Sequence, residues 1–166
     1  VIDNKSQSII ASKIKQGIGG APLEMDLQRF ASKTRYEKSI GNLVKDNFDD
    51  LAQLRKDLGL PEAGSTLDKS TLAKLQIGDE SIYGINGHGQ KVTLKANAIS
   101  KTHAEGDVFQ QAYNKGINAD NATLYVDRDF CRACGINGGV KSMAKQLGIS
   151  ELHVYTPSGY TKIITK

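Results

Sequence analysis

Two short runs carry most of the residue types that do chemistry: His103-Ala104-Glu105 and Cys131-Arg132-Ala133-Cys134. Residues 106–130 separate them, room for one helix and one strand. Cysteines at i and i+3 on an opening helical turn place both sulfurs on one side, about one turn apart. A helix N-terminus there favours the thiolate, the form that binds metal. With His103 the set is one nitrogen and two sulfurs, which suits Zn²⁺, and three protein ligands leave a fourth position open for water. Glu105 then stands beside the metal without ligating it, as a carboxylate that takes a proton from water and hands it to a leaving group.

Simpler readings compete with this one. An HxE triplet alone is common by chance, and a CxxC between a strand and a helix is also the pattern of thiol-redox proteins. The redox reading leaves the HxE placement unexplained, and the chain has no tryptophan. A structural zinc site needs a fourth ligand, which His88 or His153 could supply. His88, however, lies in the turn-rich Asn86-Gly87-His88-Gly89 and reads as a loop residue. His153 alternates with Leu152 and Val154 on a strand and reads as a solvent-facing or satisfied sheet residue.

The elements must bring these runs together. An ideal helix turns about 100° per residue, so His103 and Glu105 would diverge by about 200° within one helix. They share a site only if His103 lies on the entering turn, with Thr102 as the N-cap. Beyond Gly78 the pattern predicts strands at 81–85 and 91–96, a helix from His103 to about Lys115, and a strand at 122–126. A helix follows around 138–147, then strands at 152–156 and 160–165. This order, β-β-α-β-α-β-β, implies an α/β fold with helices covering a sheet. Only Pro157, Ser158 and Gly159 separate the last two strands, too few for a parallel crossover, so that pair is expected to be antiparallel.

Residues 1–78 read as a mainly helical extension, with the catalytic-type domain at 79–166. Apolar residues recur at helical spacing from Leu23, Leu27 and Phe30, after Pro22, through Ile40, Leu43 and Val44 to Leu51, Leu54 and Leu58. Gly41 is expected to break or bend the stretch, and Gly59 and Pro61 to end it. A short helix is expected at 66–76, capped by Ser65 or Thr66 and carrying Leu67, Leu72 and Leu75. At 166 residues the chain has room for one domain with an appendage. Two cysteines exclude a disulfide framework, and no run approaches the ~18 apolar residues of a membrane span. The net charge of +4 falls entirely in residues 81–166, which suits a polyanionic ligand. The chain opens on Val1 and is read as the C-terminal piece of a longer polypeptide.

The segments THAEGDVFQQA and ATLYVDRDFCRACG, with this element order, resemble the zinc-dependent cytidine-deaminase superfamily and its H-x-E…P-C-x-x-C motif. From about Ser81 to Lys166 the likeness narrows to the bacterial polymorphic-toxin deaminases. Phe130 stands where the motif usually has proline, a departure that toxin members tolerate. The resemblance implies a three-layer α-β-α fold on a mixed five-stranded sheet, with zinc held by His103, Cys131 and Cys134. It implies that Glu105 moves protons to ring N3 and to the departing ammonia, while the Ala104 amide and the carbonyl near Phe130 or Cys131 contact the pyrimidine edge. The implied activity is deamination of cytosine to uracil in DNA, with RNA or a free nucleoside as alternatives. A thiol-redox or structural-zinc module that binds nucleic acid unaltered is the alternative from another class. Lys101, Arg128, Arg132 and Lys141 flank the motifs and are candidates for phosphate contacts, each with a solvated surface charge as the alternative. Tyr83, Tyr113, Tyr125 and Phe130 are candidates for stacking, with core packing the reading preferred for most of them. The implied setting is an effector secreted into a target bacterium's cytoplasm, with a cognate immunity protein as partner and no membrane.

Overall fold

The computed structural model describes residues 26–166, with side chains from residue 37 onward. The expectations at Pro22 and Leu23, and the packing of Leu27 and Phe30, fall outside the described positions. The elements are α1 (Asp26–Asp57), β1 (Leu72–Ile77), β2 (Glu80–Ile85), α2 (Ala98–Thr102), α3 (Ala104–Asn114), β3 (Asn121–Val126), α4 (Gly139–Gln146), β4 (Glu151–Thr156) and β5 (Gly159–Ile164). The chain divides into two compact units, the first ending at Asp50 and the second spanning Leu51–Lys166. In the first, α1 runs through Gly41 without the expected break: nothing lies within 4 Å of a Cβ there, and an exposed glycine weakens a helix without ending it. Among the described residues no helix is long and apolar enough to cross a membrane.

The second unit is built on a five-stranded sheet of order β2-β1-β3-β4-β5. β1 is antiparallel to both β2 and β3, β3 and β4 are parallel, and β4 and β5 are antiparallel. The fold is thus the mixed α/β arrangement expected, and the last hairpin closes as its short connection requires, with Thr156 opposite Gly159. Leu75, Ile82, Leu124, Leu152 and Val154 form one buried core with Val108, Phe109 and Ala112 of α3 and Val140 and Met143 of α4. Along β1 these core positions alternate with Leu72, Lys74 and Gln76, which are buried as well, so both faces of that strand are covered.

Two segments differ from the sequence reading. The helix expected at 66–76 is replaced by a turn-rich stretch and then β1, so the sheet takes a strand from before residue 79. Leu72-Ala73-Lys74-Leu75-Gln76-Ile77 consists largely of good helix formers, but flanking strands on both sides override that preference. The strand expected at 91–96 is irregular chain instead. Its inward alternation is real, with Leu94 buried and Val92 and Ala96 packed against the core. Side chains, not a neighbouring strand, satisfy its backbone: Gln110 Oε1 accepts from the amides of Thr93 (2.8 Å) and Leu94 (3.2 Å). Gln146 likewise accepts from the Lys95 amide (2.7 Å) and donates to its carbonyl (2.8 Å).

A buried ionic node pins the start of β1 to the end of β3. Arg55, on the last turns of α1, donates to Asp127 (2.6 Å), Asp68 (2.9 Å), and the carbonyls of Pro61 (2.8 Å) and Ser70 (2.6 Å). Asp127 also accepts from the Leu72 amide (2.9 Å). Burial alone would push the Asp68 carboxyl up, but bonds from Arg55 and the Gly64 and Ser70 amides hold it well below the usual carboxylate range.

Candidate active site

His103 owes its position to a junction between two helices. α2 ends at Thr102 and α3 begins at Ala104, leaving His103 as C-cap of one and N-cap of the other in an extended conformation (φ −83°, ψ 166°). Thr102 is therefore the last residue of α2 and not the N-cap of α3; its hydroxyl donates back to the Ile99 carbonyl (2.8 Å). The junction removes the divergence that one continuous helix would impose, and Glu105 enters as the second residue of α3. The loop after β2 holds the end of α2 in place. Gly87 N–H donates to the Thr102 carbonyl (2.8 Å), and His88 Nε2 lies 2.9 Å from the Lys101 carbonyl while Nδ1 accepts from the Gln90 amide (2.9 Å). Since Nδ1 accepts, Nε2 carries the proton and donates.

The cysteines lie between β3 and α4. They precede α4, which starts only at Gly139 after a left-handed Gly138 (φ +72°), so the thiols are not on that helix's first turn as expected. A local turn does the work, with Gly135 N–H donating to the Cys131 carbonyl (3.0 Å) and thereby winding positions 131 and 134 onto one side. His103 Nδ1 lies 3.3 Å from Cys134 Sγ and 3.5 Å from Cys131 Sγ. The three ligand atoms all fall within 4.8 Å of one another, and both cysteines are free thiols. Cys134 is buried and Cys131 faces solvent, which leaves the cluster open on one side.

Two buried oxygens beside this cluster lack hydrogen-bond partners: Glu105 Oε2 and Ser100 Oγ. Glu105 is 3% exposed, and burial pushes its carboxyl above the usual value, while its own backbone amide and nearby His103 pull it down. The Ser100 hydroxyl is close enough to Cys134 to favour its thiolate but forms no well-shaped bond. Burial and the Glu105 charge push the Cys134 thiol up, a cost that a bound cation would reverse. An imidazole and two thiols converging beside an orphaned carboxylate oxygen fit a three-ligand metal ion with water at its open corner. The residues could hold such an ion.

A family model, that of the MafB19-like deaminases, matches residues 48–166. The chain belongs to this family. The MafB19-like deaminases are a deaminase family of polymorphic toxins, so the resemblance read from the two motifs holds, and the domain is that of a hydrolytic deaminase. Neither the curated proteins nor the solved structures yielded a match. The matched span begins within α1 and takes in Arg55 and β1.

Within this deaminase domain the other expected site residues scatter. Ala104 is buried at the start of α3, where a first-turn amide has no acceptor inside the helix. Phe130 is half-buried against the core beneath Gly135, where an added Cβ would sit 3.5 Å from Phe130 Cβ. The Cys131 carbonyl is taken by the Gly135 amide. Arg132 and Lys141 are exposed and Lys101 is half-buried, whereas Arg128 turns its guanidinium onto Asp68 (3.0 Å). Tyr125 is buried in a stack with Tyr155, Tyr83 lies under Lys74, and Tyr113 is exposed. His153 is satisfied by Tyr160 (2.7 Å) and Glu151 (3.1 Å), and His88 by the loop bonds above, so neither joins the cluster. Asn97 and Ser100 escaped the sequence reading. Asn97 before Ala98-Ile99-Ser100 carries an N-cap signal that the strand expected at 91–96 obscured.

Proposed function

We propose that this domain hydrolyses cytosine to uracil in DNA, with zinc held by His103, Cys131 and Cys134, and that it serves as a toxin delivered into the cytoplasm of a target bacterium. The observation that carries the reading is the orphaned Glu105 Oε2 beside the three converging ligand atoms. Zinc bound there would supply a Lewis acid that lowers the pKa of water toward neutrality. Glu105, shielded from solvent, takes a proton from the water that adds to C4 and passes it to ring N3. It then takes the proton of the new C4 hydroxyl and delivers it to the exocyclic amine, which leaves as ammonia as the C4 carbonyl forms; cytosine and water become uracil and ammonia. In this reading the Ala104 amide and the chain near Phe130 would contact the pyrimidine edge, while the Cys131 carbonyl is already held by the Gly135 amide.

A base within a duplex must be flipped out at a cost of about a few kcal/mol, and phosphate contacts offset that cost. Arg132, Lys141 and Lys101 are the side chains for those contacts; Arg128 would have to loosen from Asp68 to join them. A delivered enzyme of this kind endangers the cell that makes it, which calls for an immunity protein covering the open side of the site. The test is to measure zinc in the purified chain and incubate it with single-stranded DNA, duplex DNA, RNA and cytidine, scoring uracil. Uracil in DNA, abolished by chelation and restored by zinc, is the expected result. Full zinc occupancy with no uracil from any substrate defeats the proposal, and uracil in RNA or cytidine alone moves the substrate away from DNA.

A further inference from the structure

The cluster draws its ligands from two segments distant in sequence, the α2–α3 junction and the β3–α4 loop, and something besides the metal must set their spacing. Asn97 spans the two. Its Oδ1 accepts from the Ser100 amide (2.8 Å), capping α2, while its Nδ2 donates to the carbonyl of Ala133 (2.9 Å), the neighbour of Cys134. The same carbonyl accepts from the Gly139 amide at the start of α4 (3.2 Å).

Packing confirms that the two segments meet closely here. A Cβ on Gly139 would lie 2.1 Å from Ser100 Oγ and 2.9 Å from the Ala133 carbonyl oxygen. A Cβ on Gly106 would lie 2.5 Å from the Ser100 carbonyl oxygen. α2 is thus a short wedge seated against the openings of α3 and α4, admitted by a glycine on each side. Asn97 is the side chain that ties this wedge to the cysteine loop.

We infer that Asn97 is a positioning residue that fixes the distance between the His103 imidazole and the Cys134 thiol; the inference rests on the metal reading proposed above. Its side-chain hydrogen bonds go to the Ser100 amide and the Ala133 carbonyl and to neither of the candidate metal ligands. Capping alone is served by Asp, Ser or Thr, which all carry the acceptor oxygen. Bridging also needs an N–H donor on the same side chain, and the amide supplies both. Asn97→Asp therefore separates the two roles: it keeps the cap, removes the donor and sets a carboxylate against the Ala133 carbonyl.

The experiment compares the full chain with Asn97→Asp, Asn97→Ser and His103→Ala. It reads zinc affinity by competition with a chromophoric chelator, the Co²⁺–thiolate absorption band, and melting of the metal-free protein. We expect both Asn97 variants to stay folded metal-free, with a modest fall in melting from the lost hydrogen bond, yet to bind zinc about 10–100-fold more weakly, the range seen when residues supporting metal ligands are lost. Their Co²⁺ spectra should also shift. Asn97→Ser keeps a neutral cap, so it carries the same reading should the aspartate charge unfold the loop. Parental zinc affinity and an unshifted Co²⁺ band in either folded variant overturn the inference while leaving the metal site standing. A folded parent chain that binds zinc no better than His103→Ala overturns the metal reading and this inference together.

Discussion

The Arg55 node and the His103–Cys134 cluster both flank the C-terminal end of β3, and both bury ionisable groups, yet their hydrogen bonding differs. Arg55 commits its guanidinium to two carboxylates and two carbonyls, and Asp68 accepts from Arg55, Arg128 and the Gly64 and Ser70 amides. In the other cluster, Glu105 and Ser100 each present a buried oxygen with no partner, and burial raises both the Glu105 carboxyl and the Cys134 thiol. A saturated network holds a fold together, whereas an unsaturated one keeps capacity for a ligand and a proton. The two regions are mechanically linked, because the node anchors Asp127 and the cysteine loop starts only a few residues later. Asp129 adds a second tie, accepting from the amide (3.0 Å) and hydroxyl of Ser158 in the β4–β5 turn.

Breaking the unsaturated side should have the largest effect, and the effect should fall on activity. Glu105→Gln removes the proton carrier and should lower deamination about 10²–10⁴-fold, the usual worth of a general acid–base group. Zinc content should stay parental, and metal-free melting should be no lower, since a buried, poorly satisfied carboxylate is traded for a neutral amide. Cys131→Ala should instead lose both metal and activity. Loss of zinc in Glu105→Gln, or full zinc in Cys131→Ala, measured by elemental analysis, would reverse the assigned roles.

Breaking the saturated side should cost stability instead. Arg55→Met leaves Asp68 and Asp127 buried without their main counter-ion, a loss of about 3–5 kcal/mol. The pH dependence follows from Asp68, whose folded carboxyl is held below the unfolded value of about 3.9. Between those two values the unfolded chain binds more protons, so this contribution is complete above about pH 4 and is lost as pH falls through the folded value. Urea midpoints for parent and variant should therefore converge on acidification. A gap that stays constant from pH 7 down to pH 3 would show that the pair is not what the substitution broke.

How far the sequence exposes these regions depends on where their hydrogen bonds go. The ligands and Glu105 were legible because the chemistry demands those residue types, and the i, i+2 spacing already required a break at His103. β2 to β5, α3 and α4 were legible because each has one covered face or a turn signal at its end. β1 was not: every residue from Leu72 to Ile77 is buried, which erases the alternation by which a half-buried strand is recognised. The Gly78-Asp79 turn, which pairs Ile77 with Glu80, then read as the end of an extension. The Arg55 node was equally silent, because its partners at 68, 127 and 128 obey no local spacing. Asn97 had a visible cap signal, but its bond to Ala133 is a tertiary fact.

The smallest effect should come from a region between these extremes, the 91–96 segment, whose backbone depends on side-chain partners. Gln110 is buried and fully engaged: Oε1 accepts from Thr93 and Leu94, and Nε2 donates to Thr93 Oγ1 (3.0 Å) and Asn114 Oδ1 (2.8 Å). Gln110→Leu fills similar volume but strands two backbone amides, which should cost about 1–3 kcal/mol. Zinc affinity should be unchanged, because the substitution reaches neither α2 nor the cysteine loop. Hydrogen exchange at the Thr93 and Leu94 amides should accelerate selectively. Parental exchange at both amides would mean that the segment is held by burial of Leu94 alone and that its resemblance to a strand is closer than its bonding shows.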